Sequence, residues 1–175
     1  MTTSLVLTVI GRDRPGLVSA LSEQAAAFGA NWLESRMAHL AGHFAGIVRL
    51  EVADAKVDPL LAALRGLDTV GLRVEATRTE KVPDAGGRLL ALELVGQDKP
   101  GIVRDVSRAL AGQGISIEAF DSEVESGAMS GEALFRARAR LRVPATVSVD
   151  ALRRSMEALA NELMVDLELA DPPAG

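Results

Sequence analysis

The sequence has no cysteine, no tyrosine and only two histidines among its 175 residues. Without cysteine the chain forms no disulfide and offers no thiolate as a nucleophile or metal ligand. The scarcity of histidine removes the side chain that most often serves as a general base. A nucleophile elbow and a Walker-type phosphate-binding motif are also missing. We therefore predict that the chain is not an enzyme and uses no cofactor.

Long apolar runs and an excess of basic side chains are absent as well. No segment approaches the ~18 apolar residues that a membrane-spanning helix needs, and residues 1–16 lack the charged start of an export signal. We expect a cytoplasmic protein that does not enter a membrane. The 19 basic and 24 acidic side chains give a net charge of −5, whereas proteins that bind duplex DNA rely on a basic surface. We predict no direct contact with nucleic acid.

The two histidines, His39 and His43, have the His-x-x-x-His spacing. On a helix that spacing would bring both imidazoles to one zinc ion, but here it spans a turn between two predicted strands. No third ligand is evident in the sequence. We predict no metal site.

An internal duplication dominates what the sequence does contain. Residues 5–29 align with residues 90–114, and ten of the 25 pairs are identical, including every fixed position of a Gly-x-Asp-x-Pro-Gly motif. Shared hydrophobic periodicity alone would not reproduce that motif in register. The second copy has six additional residues around Glu125–Glu132. We predict two related domains with a linker and a tail, at residues 1–80 (first copy), 81–88 (linker), 89–171 (second copy) and 172–175 (tail).

Each copy has the pattern of a βαββαβ unit. After a first strand with alternating apolar residues, we predict a helix over about residues 15–28, whose apolar stripe is Val18, Leu21, Ala25 and Phe28. The other predicted strands are 32–39, 44–52, 72–77, 117–124, 135–143 and 165–169, and the other helices are 59–67, 103–111 and 149–163. The fold class is α+β, with two antiparallel four-stranded sheets that each carry their helices on one face. Because each copy is small, pairing would bury sheet edges, and we expect a homo-oligomer.

The segments that say most about function are Gly11-Arg12-Asp13-Arg14-Pro15-Gly16-Leu17-Val18 and Gly96-Gln97-Asp98-Lys99-Pro100-Gly101-Ile102-Val103. A strand that ends in this motif and opens directly into a helix resembles the ACT domain family, and the resemblance covers nearly the whole chain, twice. It implies two ferredoxin-like (ACT-like) domains and a small amino acid as ligand, glycine being one possibility. It also implies a regulatory protein partner that receives the signal. The alternative is a ligand-free ACT-like module that mediates assembly or docks on a metabolic enzyme.

The motif also has a physical interpretation. Its glycines allow a sharp turn and a close approach to the main chain, and the first N–H groups of a helix form a seat for a small carboxylate. Asp13 and Asp98 either meet the ligand's ammonium group or cap the helix. Asn31 and Ser116, each at the start of the second strand, either face the ligand or form turns. The predicted ligand-binding residues are Gly11, Asp13, Arg14, Pro15, Gly16, Leu17 and Asn31 in the first copy, and Gly96, Asp98, Lys99, Pro100, Gly101, Ile102 and Ser116 in the second.

Four arginines alternate with apolar residues over residues 135–143. As a strand, this segment places Phe135, Ala137, Ala139, Leu141 and Val143 on one face and the arginines on the other. Two interpretations remain open. The arginines form cross-strand ion pairs with Asp121, Glu123 and Glu125, or they form a docking surface for an acidic partner or a second anion.

Overall fold

The structure is a computed structural model that describes residues 1–80, 86–126 and 131–173. The chain divides into two compact units, Met1–Pro83 and Asp84–Gly175, which contain the first and the second copy. Within the described ranges, no helix combines the length and the apolar character needed to cross a bilayer.

The first unit has six main elements in the predicted βαββαβ order. They are β1 (Thr2–Arg12), α1 (Leu17–Ala27), β2 (Asn31–Leu40), β3 (His43–Ala53), α2 (Val57–Arg65) and β4 (Leu72–Thr79). The sheet order is β2-β3-β1-β4 and every neighbouring pair is antiparallel. The tight β2–β3 turn places Ala41 and Gly42 at positive φ, 49° and 76°, as a two-residue hairpin requires.

The second unit repeats this architecture. Its elements are β5 (Arg88–Gln97), α3 (Ile102–Ala111), β6 (Ser116–Ser126), β7 (Ala133–Val143), α4 (Val149–Leu163) and β8 (Val165–Ala170), with sheet order β6-β7-β5-β8. The predicted fold class is therefore confirmed in both copies. Residues 81–85 of the predicted linker and residues 127–130 of the predicted insertion lie outside the described residues, and Arg88 belongs to β5.

Each core lies between one face of the sheet and the two helices, and it is aliphatic. In the first unit, Leu5, Leu7 and Val9 of β1 are fully buried against residues such as Leu21 and Leu60 of the helices. In the second unit, the inward face of β7 contributes the five predicted apolar residues to the core. Among the described residues no polar or charged side chain is buried. The alternation of apolar and polar residues therefore decides which face of each sheet is covered.

The first helix starts later than predicted, and its buried stripe differs by one residue. Gly16 has φ 94° and ψ −1°, a left-handed conformation that cannot continue a helix, so α1 begins at Leu17. Leu17 then takes the buried position expected for Val18, which is 45% exposed. The helix α3 repeats the shift, with a buried Ile102. The buried stripe of α1 is therefore Leu17, Leu21 and Ala25, whose successive members are four positions apart in the sequence.

Candidate functional site

Two equivalent loops join a first strand to a first helix. The first loop (residues 13–16) ends at Gly16, and the second loop (residues 98–101) ends at Gly101, whose φ of 96° and ψ of −5° match those of Gly16. In this left-handed region a residue with a Cβ is less favourable by roughly 1–2 kcal/mol. Both loops therefore require glycine at this position, as the motif predicted.

Each loop presents free main-chain amides at the start of a helix. The first intrahelical bond of α1 runs from the N–H of Ala20 to the carbonyl of Gly16, and that of α3 from Asp105 to Gly101, both at 2.9 Å. The preceding amides, at residues 17–19 and 102–104, have no acceptor among the residues that the structure describes. Such amides, at the positive end of a helix dipole, attract a carboxylate.

The aspartates of the two loops do not cap the helices. Neither α1 nor α3 has a side-chain hydrogen bond at its N-cap, so the capping interpretation of Asp13 and Asp98 is wrong. The reason is that Gly16 and Gly101, which lack side chains, hold the cap positions. The main-chain N–H of Asp13 instead donates to the carbonyl of Gly42 at 3.0 Å, and that of Asp98 to Ala133 at 2.9 Å. Each loop is thereby attached to the hairpin of the next two strands, near the start of its second strand.

Two of the predicted glycines are explained by packing against a neighbouring strand. A Cβ on Gly11 would overlap the carbonyl oxygen of Gly71, just before β4, and a Cβ on Gly96 would overlap the side chain of Val165 at the start of β8. Leu17 and Ile102, at 4% and 3% exposure, have their side chains in the cores. Only the main chain of these two residues is therefore available to a ligand.

The first loop is open to solvent. Asp13, Arg14, Pro15 and Gly16 are all exposed, and a Cβ added to Gly16 would meet nothing within 4 Å. The two charged side chains of this loop have opposite signs, which is the combination that a zwitterionic amino acid needs.

At the second loop, Gly101 is covered by the first turn of its own helix, whereas Asp98 and Pro100 are exposed. The guanidinium of Arg104 lies over Gly101, with Nη2 3.0 Å from where a Cβ would stand. Arg104 Nε donates to Asp105 Oδ1 at 2.8 Å, and this hydrogen bond lowers the pKa of the Asp105 carboxyl below its ordinary value. A fixed carboxylate thus occupies the first turn of α3, whereas Ser19 and Ala20 stand at the equivalent positions of α1.

Asn31 and Ser116 lie far from the loop of their own unit. In the first sheet, Asn31 is paired with Glu51, which is level with Ser4 of β1, whereas Gly11 is level with Phe44. Seven residues of strand separate these levels, or about 23 Å at ~3.3 Å per residue. Ser116, paired with Arg142, is at the corresponding distant end of the second sheet. Neither residue joins a ligand site within one unit.

A residue that the sequence did not single out for the site lies at the first loop. His39, near the end of β2, places its Nε2 3.5 Å from Asp13 Oδ2. From its spacing in the sequence, this histidine was evaluated only as a metal ligand. No group of three or more His, Cys, Asp or Glu side chains in the described ranges is arranged to hold a metal ion.

The arginine row of β7 faces away from the core as predicted, but its partners differ in part. Arg136 pairs with Glu125 at 3.8 Å, and Arg138 pairs with Glu93 of β5 at 3.4 Å. Arg140 and Arg142 both pair with Glu118. A β-bulge between Ile117 and Ala119 turns Glu118 onto this face.

The open face of the second sheet carries more acidic than basic side chains. Within the described residues, no ion pair joins Asp121 or Glu123 to an arginine, although both were expected partners. Seven carboxylates share the face with the four arginines, namely Glu93, Glu118, Asp121, Glu123, Glu125, Asp166 and Glu168. The arginines are neutralised, so this face gives no support to docking of an acidic partner.

Two grooves in the described residues lie on the open sheet faces, and another, of about 230 Å³, lies between α2 and β4. One of about 430 Å³ is lined by Val6, Leu33 and Arg49, among others, and one of about 240 Å³ by Asp121, Glu123 and Arg136 among others. The first loop, in contrast, is an exposed part of its unit. Because small-molecule sites enclose most of the ligand surface, a ligand on this loop needs a second surface to cover it.

Comparison with known proteins gives a family and two full-length structural relatives. The family model of the ACT domain matches residues 3–77. The structure of an unknown protein from Galdieria sulphuraria is 29% identical, with a TM-score of 0.88 over 98% of this chain and 99% of that one. The structure of a candidate glycine cleavage system transcriptional repressor is 20% identical, with a TM-score of 0.73 over 97% and 96% of the two chains. At that identity the second likeness concerns the fold alone. No curated protein matches the sequence.

Proposed function

Because the first half of this chain belongs to the ACT domain family and the second half repeats its fold, we propose that the chain is a regulatory protein that senses a small amino acid. The observation that carries the proposal is the open first loop. It combines three main-chain amides without acceptors with one exposed carboxylate, Asp13, and one exposed guanidinium, Arg14.

Each group of the first loop has a role in this proposal. The ligand's carboxylate accepts hydrogen bonds from the amides of residues 17–19, where the dipole of α1 favours negative charge. Arg14 adds positive charge beside it. Asp13 accepts a hydrogen bond from the ligand's ammonium group. Gly16 keeps the approach to the amides free of a side chain.

We propose that the first copy binds the ligand and that the second does not. In the second loop the guanidinium of Arg104 lies against Gly101, and Asp105 Oδ2 would be 3.8 Å from a Cβ at that position. A free amino acid would have to displace an intramolecular group that is always at high effective concentration.

The ligand is expected to need a second surface over it, because a single unit leaves the first loop uncovered. Asn31, at the far end of its own sheet, is a candidate to cover the ligand only from a second copy of this chain. Such an arrangement predicts a homo-oligomer whose contacts change with occupancy. A regulatory protein partner then reads the change. The fold shared with the candidate glycine cleavage repressor makes glycine the first ligand to test and control of glycine cleavage genes, without direct DNA contact, the first role.

The test is a titration of the full chain against the twenty amino acids by thermal shift and calorimetry. A true ligand raises stability by RT ln(1 + [L]/Kd), or about 2.7 kcal/mol at one hundred times Kd. We expect one ligand per chain and loss of the response in Asp13→Ala. A flat response to all twenty at millimolar concentration would contradict sensing.

The covered second loop favours a second candidate function for part of the chain. In it, the second copy is a ligand-free interaction module that mediates assembly or docks on a metabolic enzyme. This candidate predicts a robust oligomer whose mass does not change when amino acids are added. Size-exclusion chromatography with light scattering, with and without ligand, distinguishes it from sensing.

A further inference from the structure

The contact between the second strand and the first loop suggests a role for one histidine. We infer that His39 is a positioning residue, which fixes the Asp13 carboxylate so that it meets a ligand's ammonium group. The inference rests on the proposed function, because it concerns the same loop.

The geometry ties Asp13 to the β2–β3 hairpin twice. Its main-chain N–H donates to the carbonyl of Gly42 at 3.0 Å, and its Oδ2 lies 3.5 Å from Nε2 of His39. His39 stands opposite Phe44, at the end of the hairpin nearest the loop. The main-chain bond fixes where the residue is, and the imidazole fixes which way its side chain points.

The chemistry leaves one carboxylate oxygen for the ligand. A carboxylate accepts several hydrogen bonds through its two oxygens, and the 3.5 Å contact with His39 is made by Oδ2. No other side chain or main-chain group in the described part of the chain is bonded to this carboxylate. Oδ1 is therefore available to an ammonium group. Restriction of the side chain before binding reduces the conformational entropy that binding has to overcome.

The second copy provides the natural comparison. Val124 occupies the place of His39, since each stands opposite the equivalent phenylalanine of the next strand, Phe135 or Phe44. Val124 is 56% exposed and offers no polar group to Asp98. Among the described residues, a contact of this kind thus occurs only in the copy whose loop is open.

The contact itself is tested without any ligand, by proton NMR of the two histidine rings. The chain has only His39 and His43, and His43 is held elsewhere, with Nδ1 3.2 Å from the carbonyl of Ala41. Asp13→Asn is expected to move the ring resonances of His39 and to leave those of His43 in place. Unchanged His39 resonances would overturn the inference, whatever the chain binds.

The role of the contact is tested by binding of amino acids and their hydroxy-acid counterparts. The probes are glycine with glycolate and L-alanine with L-lactate, because each pair differs at the group that Asp13 recognises. His39→Val is expected to weaken amino-acid binding about threefold, as suits an exposed contact, and to leave hydroxy-acid binding unchanged. His39→Gln, which keeps a donor, restores most of the loss, and His43→Gln has no effect.

The outcomes separate the two proposals. Amino-acid binding that is equally strong in His39→Val overturns the positioning role and leaves the sensing function intact. Equal weakening for both members of each pair also overturns it, because the effect would then not concern the ammonium group. Absence of any amino-acid response in the unaltered chain overturns both, even if the NMR contact is present.

Discussion

The two strand-to-helix loops have the same backbone and different surroundings. Gly16 and Gly101 differ by about 2° in φ, and both loops attach to the following hairpin through the amide of an aspartate. Yet the first loop is open, whereas Arg104 and Asp105 cover the second. The comparison teaches that the glycines preserve a backbone conformation, while two residues in the first turn of the helix decide whether that glycine is open or covered.

A second comparison concerns the ion pairs of the two sheets. In the second unit, arginines of β7 pair with glutamates across the sheet. In the first unit, Arg36 and Arg49 share Glu34 at 3.3 and 3.7 Å. Both sheets therefore pair arginines with carboxylates, so the surroundings of the loops distinguish the two copies more clearly than the sheets do.

The largest expected effect concerns the glycines that end the first strands. Gly11→Ala places a Cβ against the carbonyl oxygen of Gly71, and Gly96→Ala places one against the side chain of Val165. Each is expected to lower the free energy of unfolding of its own unit by about 3 kcal/mol. Urea unfolding followed by tryptophan fluorescence measures the effect of Gly11→Ala, because the single tryptophan, Trp32, packs on the first core. Circular dichroism measures the effect of Gly96→Ala.

The two glycine substitutions differ in whether they can be rescued. Val165→Ala removes part of the obstacle to Gly96→Ala, so the double variant is expected to recover about 1 kcal/mol, read by circular dichroism. The obstacle to Gly11→Ala is main chain, and no side-chain change relieves it. A Gly96→Ala variant that shifts the Trp32 transition as much as Gly11→Ala does would show that the units do not unfold separately.

The next largest effect is expected when residues in the first helical turns of the two copies are exchanged. Ser19→Arg with Ala20→Asp covers the first loop and is expected to weaken amino-acid binding at least tenfold, or about 1.4 kcal/mol. Arg104→Ser with Asp105→Ala opens the second loop and is expected to raise the stoichiometry from one ligand per chain toward two. Calorimetry measures both. If the first exchange left binding unchanged, the first loop would not be the ligand site.

A smaller effect is expected when the basic residue of each loop is replaced by alanine. Arg14→Ala is expected to weaken binding about fivefold, since it removes one charge beside the ligand's carboxylate, whereas Lys99→Ala leaves binding unchanged. The difference should shrink at high salt, because both side chains are at the surface. Equal losses in the two variants would indicate that both copies bind.

The architecture could be predicted from the sequence alone, because the duplicated segments and the alternation of apolar residues in the strands indicate the same βαββαβ order in each copy. The predicted helix 149–163 matches α4, where Ser148 caps the helix by accepting from the amide of Ala151 at 3.3 Å. The predicted helix 59–67 was less accurate. Its observed start at Val57 places Pro59 inside the first turn, where the missing N–H has no partner in any case.

The site was only partly predictable, for reasons of geometry. Arg104 and Asp105 are adjacent, and adjacent residues on a helix do not normally face each other, so their pairing gives no sequence signal. Glu118 reaches the arginine row only because of a β-bulge, which changes the face of a residue without changing its spacing. His39 meets Asp13 through strand register, which the sequence does not specify to one residue.

The smallest expected effect concerns the acid stability of the covered loop. The hydrogen bond and charge of Arg104 lower the pKa of Asp105 in the folded chain, so the folded state favours the ionised carboxyl more than the unfolded state does. The resulting stability is present above the ordinary aspartate pKa of about 3.9. It is lost as the pH falls through the lower folded value. Arg104→Ala should therefore reduce the difference in the free energy of unfolding of the second unit between neutral and acidic pH, as measured by circular dichroism during urea unfolding.

The Trp32 signal of the first unit serves as the control, because it should show the same pH dependence in both proteins. The effect is small, since the pair is exposed and water screens it. A second unit whose pH dependence is identical in Arg104→Ala would mean that the pair does not persist in solution, and the second loop would then be as open as the first.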